Sequence, residues 1–124
     1  MNAEDVDIQV IANLVVRNGT GQVLLTKYNP DIDRWWLPGG DVEPFTHPDE
    51  QAQKVIDGLG LSVATATFKR LQSFRGRRGW HLVFDYLADA DGTPMAPAQW
   101  FDAGDLPKTM HGDWEKGVIA ALTE

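Results

Sequence analysis

Trp35–Leu61 reads WWLPGGDVEPFTHPDEQAQKVIDGLGL, and the order of its local signals sets the architecture of the chain. Leu37-Pro38-Gly39-Gly40 closes an extended segment: proline fixes φ and lacks a backbone donor, while glycine opens dihedrals that other residues avoid. A rigid Pro-Gly-Gly loop is the expected result. Thr46 with Asp49 has the spacing of an N-terminal capping pair, and Pro48 falls in the first turn, where a missing N–H costs nothing. Ala52, Val55, Ile56 and Leu59 recur at i, i+3, i+4 and i+7, which gives a helix one apolar face with Gly60 as its stop. Glu50, Gln53, Lys54 and Asp57 lie on the opposite face.

Upstream, Asp7–Arg17 (DIQVIANLVVR) is apolar on both faces at its centre, the pattern of an inner strand. Asn18-Gly19-Thr20-Gly21 is a hairpin turn signal, Gln22–Tyr28 is the return strand, and Asn29–Arg34 is a polar loop leading to Trp35. Adjacent tryptophans on an extended segment point to opposite faces, so of Trp35 and Trp36 one enters the core while the other is free to floor a pocket. Downstream, Ser62–Phe74 is rich in β-branched residues, Arg75-Gly76-Arg77-Arg78-Gly79 is a basic turn, and Trp80–Ala88 returns with Leu82, Phe84 and Tyr86 on one face. Five of the eleven basic residues lie between Lys69 and Arg78. Arginine forks suit phosphate oxygens, while the same charges also keep a sheet edge soluble. Asp89–Pro94 is a turn-rich loop, Gln99–Asp102 a short late strand, and Gly112–Leu122 a C-terminal helix with Trp114, Val118, Ile119 and Leu122 on its apolar side.

With 124 residues and 43% hydrophobic content the chain suits one domain with one core, residues 1–124. A net charge of −7 and a pI near 4.8 disfavour nucleic acid as a partner through bulk charge, so phosphate recognition needs a local cluster. No cysteine is present, which removes disulfides, thiolate metal sites and a cysteine nucleophile. His47, His81 and His111 are scattered, without the i, i+4 pairing of a histidine metal site. The start MNAEDVD is acidic, and no apolar run approaches the roughly 20 residues that span a bilayer. A cytoplasmic protein with no membrane association is expected.

The loop and helix of residues 40–61 resemble the Nudix box, whose pattern is glycine, five residues, glutamate, seven residues, arginine-glutamate-aliphatic, one residue, two glutamates, one residue, glycine, aliphatic. Trp35–Pro44 resembles the family's tryptophan-x-leucine-Pro-Gly-Gly-x-valine-glutamate lead-in, and Gly60-Leu61 its exit. The strand–turn–strand start, and Gln99-Trp100-Phe101-Asp102 followed by Asp105-Leu106-Pro107, are similar to the family as well. The resemblance implies an α/β/α sandwich with a mixed curved sheet, the box helix on one side and the C-terminal helix on the other. It departs at the acids. Counted from Gly40, the first box glutamate is Thr46, the arginine Lys54 and the next glutamate Val55; counted back from Gly60 they are Phe45, Gln53 and Lys54, because the segment is one residue short. Either register leaves Asp57 and Gly58 for the glutamate pair, and the first keeps Pro48, Ala52 and Ile56 at family-like positions.

In the family those glutamates gather Mg²⁺ or Mn²⁺ around a diphosphate and help activate water. Hard cations need several oxygen ligands, whereas this helix offers Asp57 and, two turns earlier, Glu50, with Lys54 between them. Glu50 and Lys54 also have the order of a surface ion pair. Two functions follow. In the first, a divergent hydrolase cleaves a nucleoside diphosphate derivative near a cation held by Asp57, Glu50 and Glu43. Arg75, Arg77 or Arg78 then steadies the phosphates, Trp36 stacks on the base and Lys27 reaches a phosphate. In the second, a non-catalytic Nudix-like domain binds a nucleotide or a protein partner. Homodimers are common among similar domains, and the sequence leaves that assembly open.

Overall fold

The computed structural model describes residues 7–27, 29–76, 79–110 and 117–120. Its elements are β1 (Ile8–Arg17), β2 (Gln22–Leu25), β3 (Gly39–Asp41), α1 (Pro48–Asp57), β4 (Ser62–Gly76), β5 (Gly79–Asp91) and β6 (Gln99–Asp102). The strands form one curved, unclosed mixed sheet in the order β4-β5-β1-β2-β6, with β3 also paired to β1. β1 lies parallel to β5 from Ile8↔Trp80 to Arg17↔Asp89 and antiparallel to β2 and β3. Its central position is the one its apolar faces demand.

Alternation along β1 divides the interior in two. Ala12, Leu14 and Val16 join Leu24, Tyr86, Ala88 and Ala90 beneath Ala52, Ile56 and Leu59 of the helix segment. Val15 faces the other way, with Val23, Leu25, Trp35, Leu37, Met110, Val118 and Ile119. A one-residue step in a strand reverses its side chain, so a single strand feeds both cores. Residues 117–120 are helical, and their Val118 and Ile119 cover the face opposite α1. The expected α/β/α layering is what the chain adopts. The remainder of the expected C-terminal helix lies outside the described residues.

Several local expectations shift. Pro-Gly-Gly forms no loop: Gly39 and Gly40 belong to β3, paired with Asn13 and Ala12. Neither glycine has a positive φ. A Cβ on Gly39 would meet the Ala12 carbonyl oxygen and Asn13 Oδ1 at 2.5 Å, so the need is for close approach between backbones. The Pro38 carbonyl accepts from the Leu14 N–H at 2.8 Å, which uses the one backbone hydrogen-bonding group proline retains. Thr46 is not the helix cap. His47 is, its Nδ1 accepting the Asp49 N–H at 3.1 Å, with Pro48 opening the first turn. The helix stops at Gly58, whose N–H donates to the Lys54 carbonyl at 3.1 Å. Gly60 lies in the turn beyond, at φ 71°. β2 ends at Leu25, after which Thr26 bridges only to Trp36, and Tyr28 lies outside the described residues. Asp89 and Asp91 extend β5 and are not part of a loop, with Asp89 held by Arg17 at 2.6 Å.

Candidate functional site

Helix α1 lies on the first core through Ala52 and Ile56, which turns Glu50, Gln53, Lys54 and Asp57 outward, all exposed. Asp57 Oδ1 accepts from Gln53 Nε2 at 2.8 Å. The expected Glu50–Lys54 ion pair does not form: among the described residues the bridges are Arg17–Asp89, Lys27–Asp33, His47–Asp49 and Arg70–Asp85. An exposed pair of long side chains gains little Coulomb energy in water and loses rotamer freedom. Glu50 and Asp57 are separated by about 10 Å of helix rise. Glu43 is exposed in the preceding loop, where its carbonyl accepts from the Thr46 N–H at 3.1 Å.

Among the described residues, no three His, Asp or Glu side chains converge on a point where a metal ion could sit. A divalent cation needs several oxygens inside one coordination sphere, and the donor set of Glu43, Glu50 and Asp57 does not close one here. A further acid of the same helix, Asp49, is engaged elsewhere. It accepts from the Tyr86 hydroxyl, which ties the first turn of α1 to β5. Burial, followed by the adjacent Asp49 carboxylate, pushes the Tyr86 hydroxyl above the usual tyrosine range, so it remains a donor.

The two tryptophans divide as expected. Trp35 is buried in the second core, edge-on to Phe101 at 4.8 Å between ring centres. Trp36 shares the opposite face with its bridge partner Thr26 and, two residues earlier, Leu24 of the first core. With Asn29, Ile32 and Arg34 it lines a recess of about 240 Å³. Lys27 is turned aside: its ammonium lies 3.6 Å from Asp33 and 4.7 Å from the centre of the Trp35 ring.

Arg75 lies near the tip of the β4–β5 hairpin, opposite Trp80. Arg77 and Arg78 fall outside the described residues. The ladder Arg75↔Trp80↔Ile8, together with the Val42 N–H to Val10 carbonyl bond, puts Arg75 roughly 14 Å across the sheet from the loop bearing Glu43. Trp36 lies two residues before Pro38, whose carbonyl meets the Leu14 N–H, and that end of the segment is roughly 20 Å along β1 from the level of Arg75. The structure therefore brings the α1 acids, Glu43 and Arg75 to one face, and separates the hairpin from the Trp36 recess.

Sequence reasoning passed over Asp85. Fully buried on β5, it accepts from Arg70 Nε at 3.0 Å and Gln72 Nε2 at 2.6 Å, while its Oδ1 has no hydrogen-bond partner. Burial pushes its carboxyl above the usual range, against the lowering effect of Arg70 and Gln72. Two signals could have found it. It is an acid inside the apolar run WHLVFDYLA, and counting outward from the Gly76↔Gly79 pair sets it opposite Arg70.

No family model matches the chain. Over 105 residues it is 33% identical to a Bacillus subtilis protein named "Putative 8-oxo-dGTP diphosphatase", covering 80% of this chain and 70% of that one. Among solved structures it resembles a MutT Nudix hydrolase from Burkholderia pseudomallei, with a TM-score of 0.73 and 21% identity over 92% of this chain and 97% of that one. It also resembles the E. coli ORF135 protein, with a TM-score of 0.74 and 14% identity over 98% and 93% of the two chains. At those identities the structural likenesses concern the fold alone.

Proposed function

The chain belongs to the Nudix superfamily, and from that premise we propose that it takes a nucleoside diphosphate derivative, with metal-dependent pyrophosphohydrolase chemistry weakened by its loss of acids. The name of the Bacillus relative, a diphosphatase of a modified nucleotide, supports a small nucleotide as the ligand. The observation that carries the reading is the outer face of α1, where Lys54 stands between Glu50 and Asp57 and, among the described residues, no third acid joins them in a metal-sized cluster. Lys54 pairs with neither carboxylate among the described residues, yet its positive charge on the same face repels a divalent cation. Trp36 is one of the residues lining a recess with Asn29, Ile32 and Arg34, and an indole there suits a base. The hairpin arginine Arg75 lies away from that recess and is not needed to hold the base. Residues 1–124 act as one domain in this reading. Cytoplasmic residence belongs to the same proposal, on the acidic, cysteine-free composition. No described helix is long and apolar enough to cross a membrane.

The test is turnover of a panel of nucleoside diphosphate derivatives in Mg²⁺ or Mn²⁺ by the native chain and by Asp57→Asn. Slow turnover that the substitution abolishes supports the proposed site. Turnover that Asp57→Asn leaves unchanged removes Asp57 from it.

A further inference from the structure

The β4–β5 hairpin carries an apolar band on the α1 side of the sheet that nothing among the described residues covers. Ile8 is 49% exposed, Phe68 47%, Leu71 50% and Trp80 42%. These side chains share a face because of the register. Trp80, Phe84 and Tyr86 alternate along β5, and Ile8 faces Trp80, Leu71 faces Phe84 and Phe68 faces Tyr86. Phe68 and Leu71 are three apart, a spacing that would put them on opposite faces of a regular strand. A register shift between Phe68 and Arg70 inserts one extra residue and brings them to the same side. Phe68 packs on Phe84 and Tyr86, so this part of the band is continuous with the first core.

Beside this band lies a bare strand edge. Among the described residues β4 pairs only with β5, and it is the terminal strand of the sheet. Its fifteen residues, SVATATFKRLQSFRG, contain Lys69, Arg70 and Arg75 and no acid. Charges of one sign on an edge oppose pairing with a second copy, because an antiparallel seam of two β4 strands would set lysine and arginine against lysine and arginine. The same charges favour a partner that brings carboxylates.

We propose that the β4 edge is a docking site for an extended acidic segment of another protein, added to the sheet as a strand. Its backbone takes up the free edge of β4, and its alternate apolar side chains cover Phe68 and Leu71. The intervening acids meet Lys69 on the other face, beside Arg70, which is already bound to Asp85. A nucleic-acid strand is a poorer fit. The chain carries a net charge of −7, which opposes a polyanion.

The experiment selects a phage-displayed random dodecapeptide library on the full chain, then measures the winning peptide by fluorescence anisotropy and amide hydrogen exchange. The selected sequences should alternate apolar and acidic residues and slow exchange along residues 66–76. Leu71→Asp should weaken binding by about tenfold or more without altering nucleotide turnover. The exchange measurement uses the native chain, so it stands even if that variant folds poorly. Selection without enrichment, winners that lack acids, unchanged exchange on β4, or tighter binding of an oligothymidylate dodecamer than of the winning peptide would each overturn the assignment.

Discussion

At the residue scale, two side chains sit where their chemistry is costly. Phe45 is fully exposed and holds φ at 66°, a left-handed conformation that crowds Cβ against the next carbonyl at a cost of about 1–2 kcal/mol. Its ring buries nothing in return. Phe45→Gly should raise stability by about 0.5–1 kcal/mol, after allowing for the larger unfolded-state entropy of glycine, and a denaturant midpoint shifted upward at constant slope would show it. Asp85 is the second. Its carboxyl binds a proton more tightly in the folded chain than in the unfolded one, where the value is near 3.8. In the window from that value up to the raised folded one, the folded state holds more protons, so stability falls as pH rises. Asp85→Asn removes the titration. The stability of the native chain relative to the variant should be highest at the acid end and decline through the window. A flat or rising difference in thermal midpoint would contradict the burial account. Asp85 was hard to see in the sequence because its partner Arg70 is fifteen residues away and meets it only through the hairpin register. Phe45 carries no local signal for a positive φ, since that conformation is ordinarily left to glycine.

At the scale of elements, what was legible is what local chemistry decides. The 3.6-residue recurrence of Ala52, Val55, Ile56 and Leu59 placed α1. The Asn18-Gly19 turn is closed by the Asn18 N–H donating to the Gln22 carbonyl at 3.0 Å, and Asn18 Oδ1 accepts the Gln22 N–H at 2.9 Å. Gln99–Asp102 emerges as β6 with the bounds the sequence suggested. What was not legible depends on tertiary contact. β3 exists because Gly39 lets two backbones meet; the cap is a local matter, set by the His47 ring nitrogen reaching the Asp49 N–H two residues on. The docking of α1 rests partly on the Tyr86 hydroxyl bound to Asp49. Tyr86→Phe should cost about 1 kcal/mol, read as an earlier denaturant midpoint, with faster amide exchange in the first turn of α1 as the mark of lost docking. A midpoint change without faster exchange there would place the cost elsewhere.

At the scale of the whole molecule, the mixed sheet between two helical layers is the Nudix fold, and the Trp-Trp-Leu-Pro-Gly-Gly segment was its clearest mark. The site was less legible than the fold. Both tryptophans lie where alternation sends them, and Arg75 stands toward the opposite end of β1 from Trp36. The functional account turns on the charge at the middle of the outer face of α1. The most direct measurement compares turnover of a nucleoside diphosphate derivative across a Mg²⁺ titration for the native chain and Lys54→Glu. Replacing the ammonium with a carboxylate gives Glu50 and Asp57 a third acid between them, and turnover at saturating Mg²⁺ should rise by about tenfold or more. Turnover that stays the same or falls would contradict the claim that this lysine and the missing acids limit the chemistry.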